Sequence, residues 1–277
     1  MDKQDLDSQN STYWSEPCGS NAAVSMNLNL GSAEDLVKFD VWYKGFYPYL
    51  FEYLDNMKLQ GKDVLEIGVG MGTVSRYLAS TCGSLTLLDI APGALDFVIS
   101  TIPDSYSPQF FCQSVLTFET QIRFDSVIAI GSLHHTGDLK EAIRVAENLL
   151  KPGGTILVMV YYAFQPQRIF RRPIRTFHEF FKTLKLYRNQ QLTFIEQDEI
   201  LRGLNDSNSA GVAAPHTEFS SRKLFANRLD FKYHTRLRNF RYVPLLSRFL
   251  PRNFFLRSLS FLFGCDLYAL GTRHQND

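Results

Sequence analysis

The sequence predicts an α/β domain in which helices cover both faces of a parallel sheet. Between residues 62 and 160, short apolar runs alternate with segments of helical periodicity, the pattern of repeated βα units. The chain has 277 residues, of which 45% are hydrophobic, so it can bury the core of such a domain. It contains no run of 18 or more apolar residues and no signal-peptide pattern, and we expect a soluble, cytoplasmic protein.

Five strands and three helices are predicted in this repeating region. The helix at 92–101 starts with proline, which suits the first helical turn, and the fifth strand follows a Lys-Pro-Gly-Gly turn at 151–154. The predicted strands are 62–67, 84–89, 109–113, 124–130 and 155–161, and the predicted helices are 72–81, 92–101 and 138–150.

The segments on either side of this region show less regular patterns. Residues 33–55 are mainly helical and 12–29 irregular, whereas 220–227 form a short helix, 231–240 a strand and 266–272 a last strand, antiparallel at the sheet centre. We therefore predict an N-terminal helical lid segment at 1–58, a core at 59–163, a cap insertion at 164–228, and final strands at 229–277.

Charge is distributed unevenly along the chain, although the net charge is only +1. Residues 168–257 hold 18 Lys and Arg against 7 Asp and Glu, a balance of +11, whereas the remainder carries −10. This favours a cap that meets an anionic group, with Arg168, Arg171, Arg172 and Arg175 nearest the fifth strand. A solvated basic face is the alternative.

No metal site is predicted. The cysteines are far apart and form no C-x-x-C pair, and no set of acidic residues resembles a magnesium site. We expect reduced, mostly buried thiols at Cys18, Cys82, Cys112 and Cys265.

The strongest local signal is VLEIGVGMG at residues 64–72, where a strand ending in Glu66 is followed by three alternate glycines. Glycines at such a turn allow positive φ and let a ligand approach the backbone. Thr73 stands where a dinucleotide fingerprint requires its third glycine, so the usual NAD pattern is absent. Asp89 ends the next strand, 21 residues after Gly68, a spacing that suits adenosine. Taken singly, each feature also fits a tight turn or a strand-end charge.

These motifs resemble those of the class I S-adenosylmethionine-dependent methyltransferases, especially a bacterial small-molecule group with a VLEIGxGxG first motif. The resemblance continues through LDIAP at 88–92, FDSV at 124–127, GSLHHTGD at 131–138 and LLKPGG at 149–154, and YWSEPCG at 13–19 looks like a lead-in segment. It implies a Rossmann-like seven-stranded sheet with an antiparallel last strand, and S-adenosyl-L-methionine as cofactor.

The resemblance also implies roles for individual residues. The first motif would hold the methionine moiety, Asp89 the ribose hydroxyls, Ile90 the adenine face, and Gln113 with Ser114 the adenine edge. Relatives usually have Asp where Gln113 stands, and a glutamine carbonyl can accept the same hydrogen bond without charge. The implied cofactor-binding residues are Glu66, Gly68, Gly70, Met71, Gly72, Asp89, Ile90, Gln113, Ser114 and Gly131.

Two histidines, His134 and His135, follow the fourth strand and are the catalytic candidates, because a neutral imidazole can take a proton from an oxygen nucleophile. The alternative is that they only organise the loop after that strand. Weaker candidates lie in segments expected to fold over the site, namely Tyr13, Trp14, Tyr161, Tyr162 and His216.

The function predicted from these observations is methyl transfer from S-adenosyl-L-methionine to a small-molecule acceptor, which the basic cap suggests is anionic. The fourth strand ends in Gly-Ser-Leu-His at 131–134 and not in the Asn/Asp-Pro-Pro-Tyr of many base-modifying enzymes, so DNA is not an expected partner. A methyltransferase acting on RNA or at a membrane surface, and a non-catalytic nucleotide-binding module, are the alternatives. The sequence leaves the acceptor atom and the oligomeric state open.

Overall fold

The computed structural model of the chain describes residues 3–16, 22–23, 26–163, 194–195, 214–226, 228–238 and 264–275. Its strands are β1 (Asp63–Ile67), β2 (Ser84–Asp89), β3 (Gln109–Cys112), β4 (Phe124–Ile130), β5 (Leu150–Tyr161), β6 (Phe194–Ile195), β7 (Glu218–Phe219), β8 (Phe231–Arg238) and β9 (Asp266–Arg273). Its α-helices are α1 (Lys3–Trp14), α2 (Ala33–Phe46), α3 (Pro48–Asn56), α4 (Thr73–Ala79), α5 (Pro92–Thr101) and α6 (Leu139–Asn148).

The main sheet has seven strands in the order β3-β2-β1-β4-β5-β9-β8, which confirms the predicted fold class. Strands β1 to β5 pair in parallel, and β9 pairs antiparallel with both β5 and β8. The predicted antiparallel direction of β9 is therefore right. Its predicted place at the sheet centre is wrong, because β8 adds outside it and leaves β9 second from the edge.

Alternate residues of the central strands belong to two separate hydrophobic cores, one on each face of the sheet. Leu65 of β1 belongs to the core that includes the apolar side of α6, whereas Val64 belongs to the core under α3, α4 and α5. Successive side chains of a strand point to opposite faces, so a strand buried on both sides reads as a continuous apolar run. The strands predicted on that basis are the ones observed, with shifts of a few residues at their ends.

The helical prediction for residues 33–55 holds, with a break at Tyr47 between α2 and α3. Pro48 lacks a backbone N–H and disfavours helical geometry in the preceding residue, which explains the break. Helix α1 overlaps the segment predicted to be irregular, so that prediction is wrong for Thr12 to Trp14. Its sequence is polar, and burial of Leu6, Asn10 and Tyr13 against the domain stabilises it.

The segment after β5 is described only in part, since residues 164–193 and 196–213 lie outside the described residues. The segment around Ser220 is hydrogen-bonded to the end of β5. The Ser220 N–H donates to the Tyr161 carbonyl, and the Ala163 N–H donates to the Ser220 carbonyl, both at 2.9 Å. A short 3₁₀ helix at Arg222–Phe225 occupies the place of the predicted helix. The domain boundaries stay predictions.

Within the described ranges, no helix combines the length and apolar character needed to cross a membrane.

Candidate functional site

The glycine-rich turn joins β1 to α4 at the carboxyl edge of the sheet. Gly68, Gly70 and Gly72 have φ values of 85°, 51° and 73°, in the left-handed region that favours glycine. A Cβ on Gly68 would lie 2.2 Å from the Cβ of Ser132, so no larger residue fits without a shift. The Ser132 hydroxyl donates to the Ile67 carbonyl at 2.6 Å. The turn thus packs closely against the loop that follows β4.

Asp89 ends β2 and holds the same turn from the other side. Its Oδ2 accepts from the Val69 N–H at 2.7 Å and its Oδ1 from the Ala91 N–H at 2.9 Å. Burial raises the pKa of this carboxyl group, and the hydrogen bonds from backbone N–H groups oppose that rise. Each carboxylate oxygen can accept a second hydrogen bond, so both remain chemically able to accept from a ribose diol.

Gln113 lies next to Asp89 at the end of β3. Its backbone N–H donates to the Asp89 carbonyl at 2.8 Å, and its side-chain Nε2 donates to the Thr117 carbonyl at 2.7 Å. This second bond fixes the amide plane and leaves Oε1 as the acceptor that the adenine amino group would need.

A cavity joins these residues to the loop after β4. Gly131, with φ of 72°, lies in its wall, and the nearest atom that a Cβ there would meet is Met159 Cε at 3.7 Å. A side chain at this position would therefore fill part of the cavity. The predicted site residues that line it are Gly68, Gly70, Asp89, Ile90, Gln113, Ser114, Gly131 and His135.

The structure separates the two histidines. His135 lines the cavity, whereas His134 is fully buried behind it, with its ring centroid 4.2 Å from the rings of His135 and Tyr161. Nδ1 of His135 lies 2.7 Å from the carbonyl oxygen of His216. Because a carbonyl only accepts, Nδ1 carries the proton, and Nε2 is the basic nitrogen of the neutral ring.

Residues 65–156 match the family model described as a methyltransferase domain. The matched residues include the glycine-rich turn, Asp89, Gln113 and both histidines, so this part of the chain is similar to a methyltransferase domain.

Among sequence relatives, the Ubiquinone biosynthesis O-methyltransferase of Xanthomonas campestris pv. campestris (strain B100) is 33% identical over 115 residues, 40% of this chain and 48% of the relative. The protein of the same name from Xanthomonas oryzae pv. oryzae (strain PXO99A) is 30% identical over the same shares. The chain therefore spans about half the length of the curated relatives it matches.

Solved structures show the same fold at low identity. An S-adenosylmethionine-dependent methyltransferase from Mesorhizobium loti gives a TM-score of 0.52 at 16% identity, covering 80% of this chain and 96% of that chain. The N-methyltransferase NodS from Bradyrhizobium japonicum WM9, in complex with S-adenosyl-l-homocysteine, gives 0.50 at 14% identity, with coverages of 83% and 88%.

Four of the predicted site residues lie outside the cavity wall: Glu66, Met71, Gly72 and His134. Glu66 is 2% exposed, and its Oε2 accepts no hydrogen bond from the described residues. Burial raises the pKa of Glu66 to about 8, opposed by the nearby Ser75 hydroxyl. Met71 packs with Phe39, and Gly72 precedes α4 as its N-cap. Their predicted roles stay predictions.

Helix α1 supplies cavity residues that the sequence analysis missed. Asp7 and Asn10 line the cavity together with Trp14, which was a weaker candidate. Neither α1 residue belongs to a motif, and the polar helix gave no apolar periodicity that could point to a buried face. Thr136 and Ser132, beside the histidines, also line the cavity.

The structure also places the weaker candidates His216, Tyr13 and Tyr162. His216 contributes its backbone carbonyl to His135, and burial, with the neighbouring His135, lowers the pKa of the His216 ring. Tyr13 packs edge-on against Trp14 at 4.6 Å, and Tyr162 packs against the core on the α6 side. The arginines nearest β5, from Arg168 to Arg175, lie outside the described residues.

Proposed function

We propose that the chain transfers the methyl group of S-adenosyl-L-methionine to a hydroxyl group of a small-molecule acceptor. The observation that carries this proposal is the arrangement of Asp89, Gln113 and His135 around one cavity. A ribose acceptor, an adenine acceptor and a base candidate are thereby brought to one edge of the sheet, where α/β folds bind ligands. The Xanthomonas relatives are named O-methyltransferases, which favours oxygen as the accepting atom.

The residues present suit this cofactor. Asp89 would accept from the ribose hydroxyls, the Gln113 carbonyl from the adenine amino group, and the open wall at Gly131 would leave room for the ligand. When bound, S-adenosyl-L-methionine supplies a methyl group activated by its sulfonium centre.

His135 would serve as the general base in this reaction. Its Nδ1–H donates to the His216 carbonyl, so in the neutral ring Nε2 is the unprotonated nitrogen, the one that would take the hydroxyl proton as the oxygen attacks the methyl group. The remaining task of the protein is to align the acceptor and exclude water, and Trp14 of α1 lies in the cavity wall, where it could contribute to both. We also propose that the acceptor is anionic, on the basis of the basic stretch at 168–257.

Isothermal titration with S-adenosylmethionine, S-adenosylhomocysteine and NAD tests the cofactor. We expect saturable binding of the first two and none of NAD. Transfer of a radiolabelled methyl group to panels of phenols, hydroxy acids, amines and total RNA then tests the acceptor class. Binding of NAD alone, or labelling confined to RNA, would overturn the proposal.

A further inference from the structure

We propose that Asn10 is a positioning residue for His135, so that a side chain of α1 sets the geometry of the base. The inference rests on the proposed function, which makes His135 the base. Asn10 belongs to none of the motifs of the domain, and it lies 125 positions before His135 in the sequence.

Asn10 is buried, with 3% of its surface exposed, and it uses both ends of its amide. Its Nδ2 donates to the backbone carbonyl of His135 at 2.9 Å, and its Oδ1 accepts from the Trp14 indole N–H at 3.2 Å. The Trp14 ring in turn lies 4.8 Å from the His135 ring. One amide thus fixes the backbone of the base and the aromatic ring that packs on its imidazole.

His135 is consequently held from two directions. The ring is held at Nδ1 by the His216 carbonyl, with the Thr217 hydroxyl 3.3 Å away, and the backbone is held by Asn10. Both bonds are needed to aim Nε2, because a ring bonded at one nitrogen still pivots when its backbone moves. Asparagine suits the position because it combines a donor and an acceptor, whereas aspartate would lose the donor.

The position of Asn10 depends on how α1 docks. A polar helix of 12 residues is unstable alone in water, so its contacts decide where it lies. At one end, Lys3 pairs with Asp138 at 3.0 Å and Leu6 packs on Gly137. At the other end, Ser15 meets Gly93 at the start of α5. These contacts lie on both sides of the cavity, so docking of α1 brings Asn10 to His135.

Nitrogen NMR of the His135 ring tests this role without requiring the acceptor. The full-length chain is labelled with ¹⁵N-histidine, saturated with S-adenosylhomocysteine, and the signals are assigned by their loss in His135→Asn. Above the imidazole pKa, we expect wild type to show the Nδ1–H tautomer. Asn10→Ala should give a mixture of tautomers, while Gln9→Ala, which removes an exposed amide from the same helix, should match wild type.

Failure of the role of Asn10 and failure of the proposed function give different results in this experiment. A folded Asn10→Ala variant with wild-type ring shifts would overturn the inference. If that variant fails to fold, Asn10→Asp keeps the size and the Trp14 acceptor but removes the donor, and wild-type shifts in it would overturn the inference equally. Wild type lacking the Nδ1–H tautomer, or failing to respond to S-adenosylhomocysteine, would count against the proposed function and not against Asn10 alone.

Discussion

Asp89 shows how one side chain can serve both the fold and the ligand. Its two oxygens accept from Val69 and Ala91, which fixes the turn after β1 relative to the start of α5. The lone pairs that remain on those oxygens are the proposed ribose contacts. Substitution at this position should therefore affect stability and cofactor affinity together, unlike substitution of a carboxylate that only meets solvent.

Asp89→Ala should weaken S-adenosylmethionine binding at least about tenfold, since it removes two charge-assisted hydrogen bonds. It should also lower the melting temperature, because two backbone N–H groups lose their acceptor. Isothermal titration and thermal melts check both effects, with Asp96→Ala, an exposed carboxylate on α5, as the control. Wild-type affinity in a folded Asp89→Ala variant would remove Asp89 from the site.

His135→Asn should lower kcat about a hundredfold or more while cofactor affinity persists, because proton removal from the acceptor is lost. His134→Asn should instead reduce stability, since the ring is buried among His135 and Tyr161. Turnover with an identified acceptor, measured beside cofactor titration, distinguishes the two. Full turnover in His135→Asn would assign both histidines to structure.

At the scale of elements, α2 is tied to the helix that follows the glycine turn. Asp40 of α2 accepts from Arg76 Nε and Nη2 at 2.8 and 2.6 Å, and from the Thr73 hydroxyl at 2.6 Å. Arg76 also donates to the Met71 carbonyl at 3.0 Å, within the turn itself. A mostly buried ion pair thus connects an N-terminal helix to the backbone of the first motif.

Asp40→Asn should lower the free energy of unfolding by about 2 kcal/mol, because Arg76 loses its bidentate charged partner in a partly buried place. Glu34→Gln, on the same helix, should change little, since its pair with Lys38 is exposed. Urea denaturation of both variants measures the difference. Equal losses would mean that the Asp40 pair contributes no more than a surface pair.

At the scale of the whole molecule, buried carboxyl groups make stability depend on pH. Burial raises the pKa of Glu66 to about 8 and that of Glu218 to about 7. A carboxyl group whose pKa is higher in the folded than in the unfolded state favours folding while it stays protonated. Between the unfolded pKa, near 4.5, and about 8, the unfolded chain binds fewer protons, so stability falls as pH rises.

Glu66→Gln should therefore flatten the fall in melting temperature between about pH 5 and pH 8, since each pKa unit corresponds to about 1.4 kcal/mol. Glu52→Gln, at an exposed position of α3, should leave the wild-type slope. Melting curves of the cofactor-free protein across this range provide the measurement. A slope unchanged in Glu66→Gln would mean that Glu66 is ionised in the folded state.

The sequence by itself determined the features that follow from local pattern. Apolar runs of strand length predicted β1 to β5, and the carboxyl ends of parallel strands meet at one edge, so Gly68, Asp89 and Gln113 were expected together. Positive φ at the glycine turn was likewise predictable, because glycine adopts it without steric cost.

Only the tertiary structure decided which side chains reach the cavity. His134 and His135 are adjacent and chemically identical, and the 3₁₀ turn that carries them directs one into the core and the other to the cavity. Asn10 and Asp7 carry no local signal, since α1 is stabilised by contacts with distant residues. The burial of Glu66 also depends on packing from α4. Long-range packing, and not local pattern, therefore sets the charge and geometry of the site.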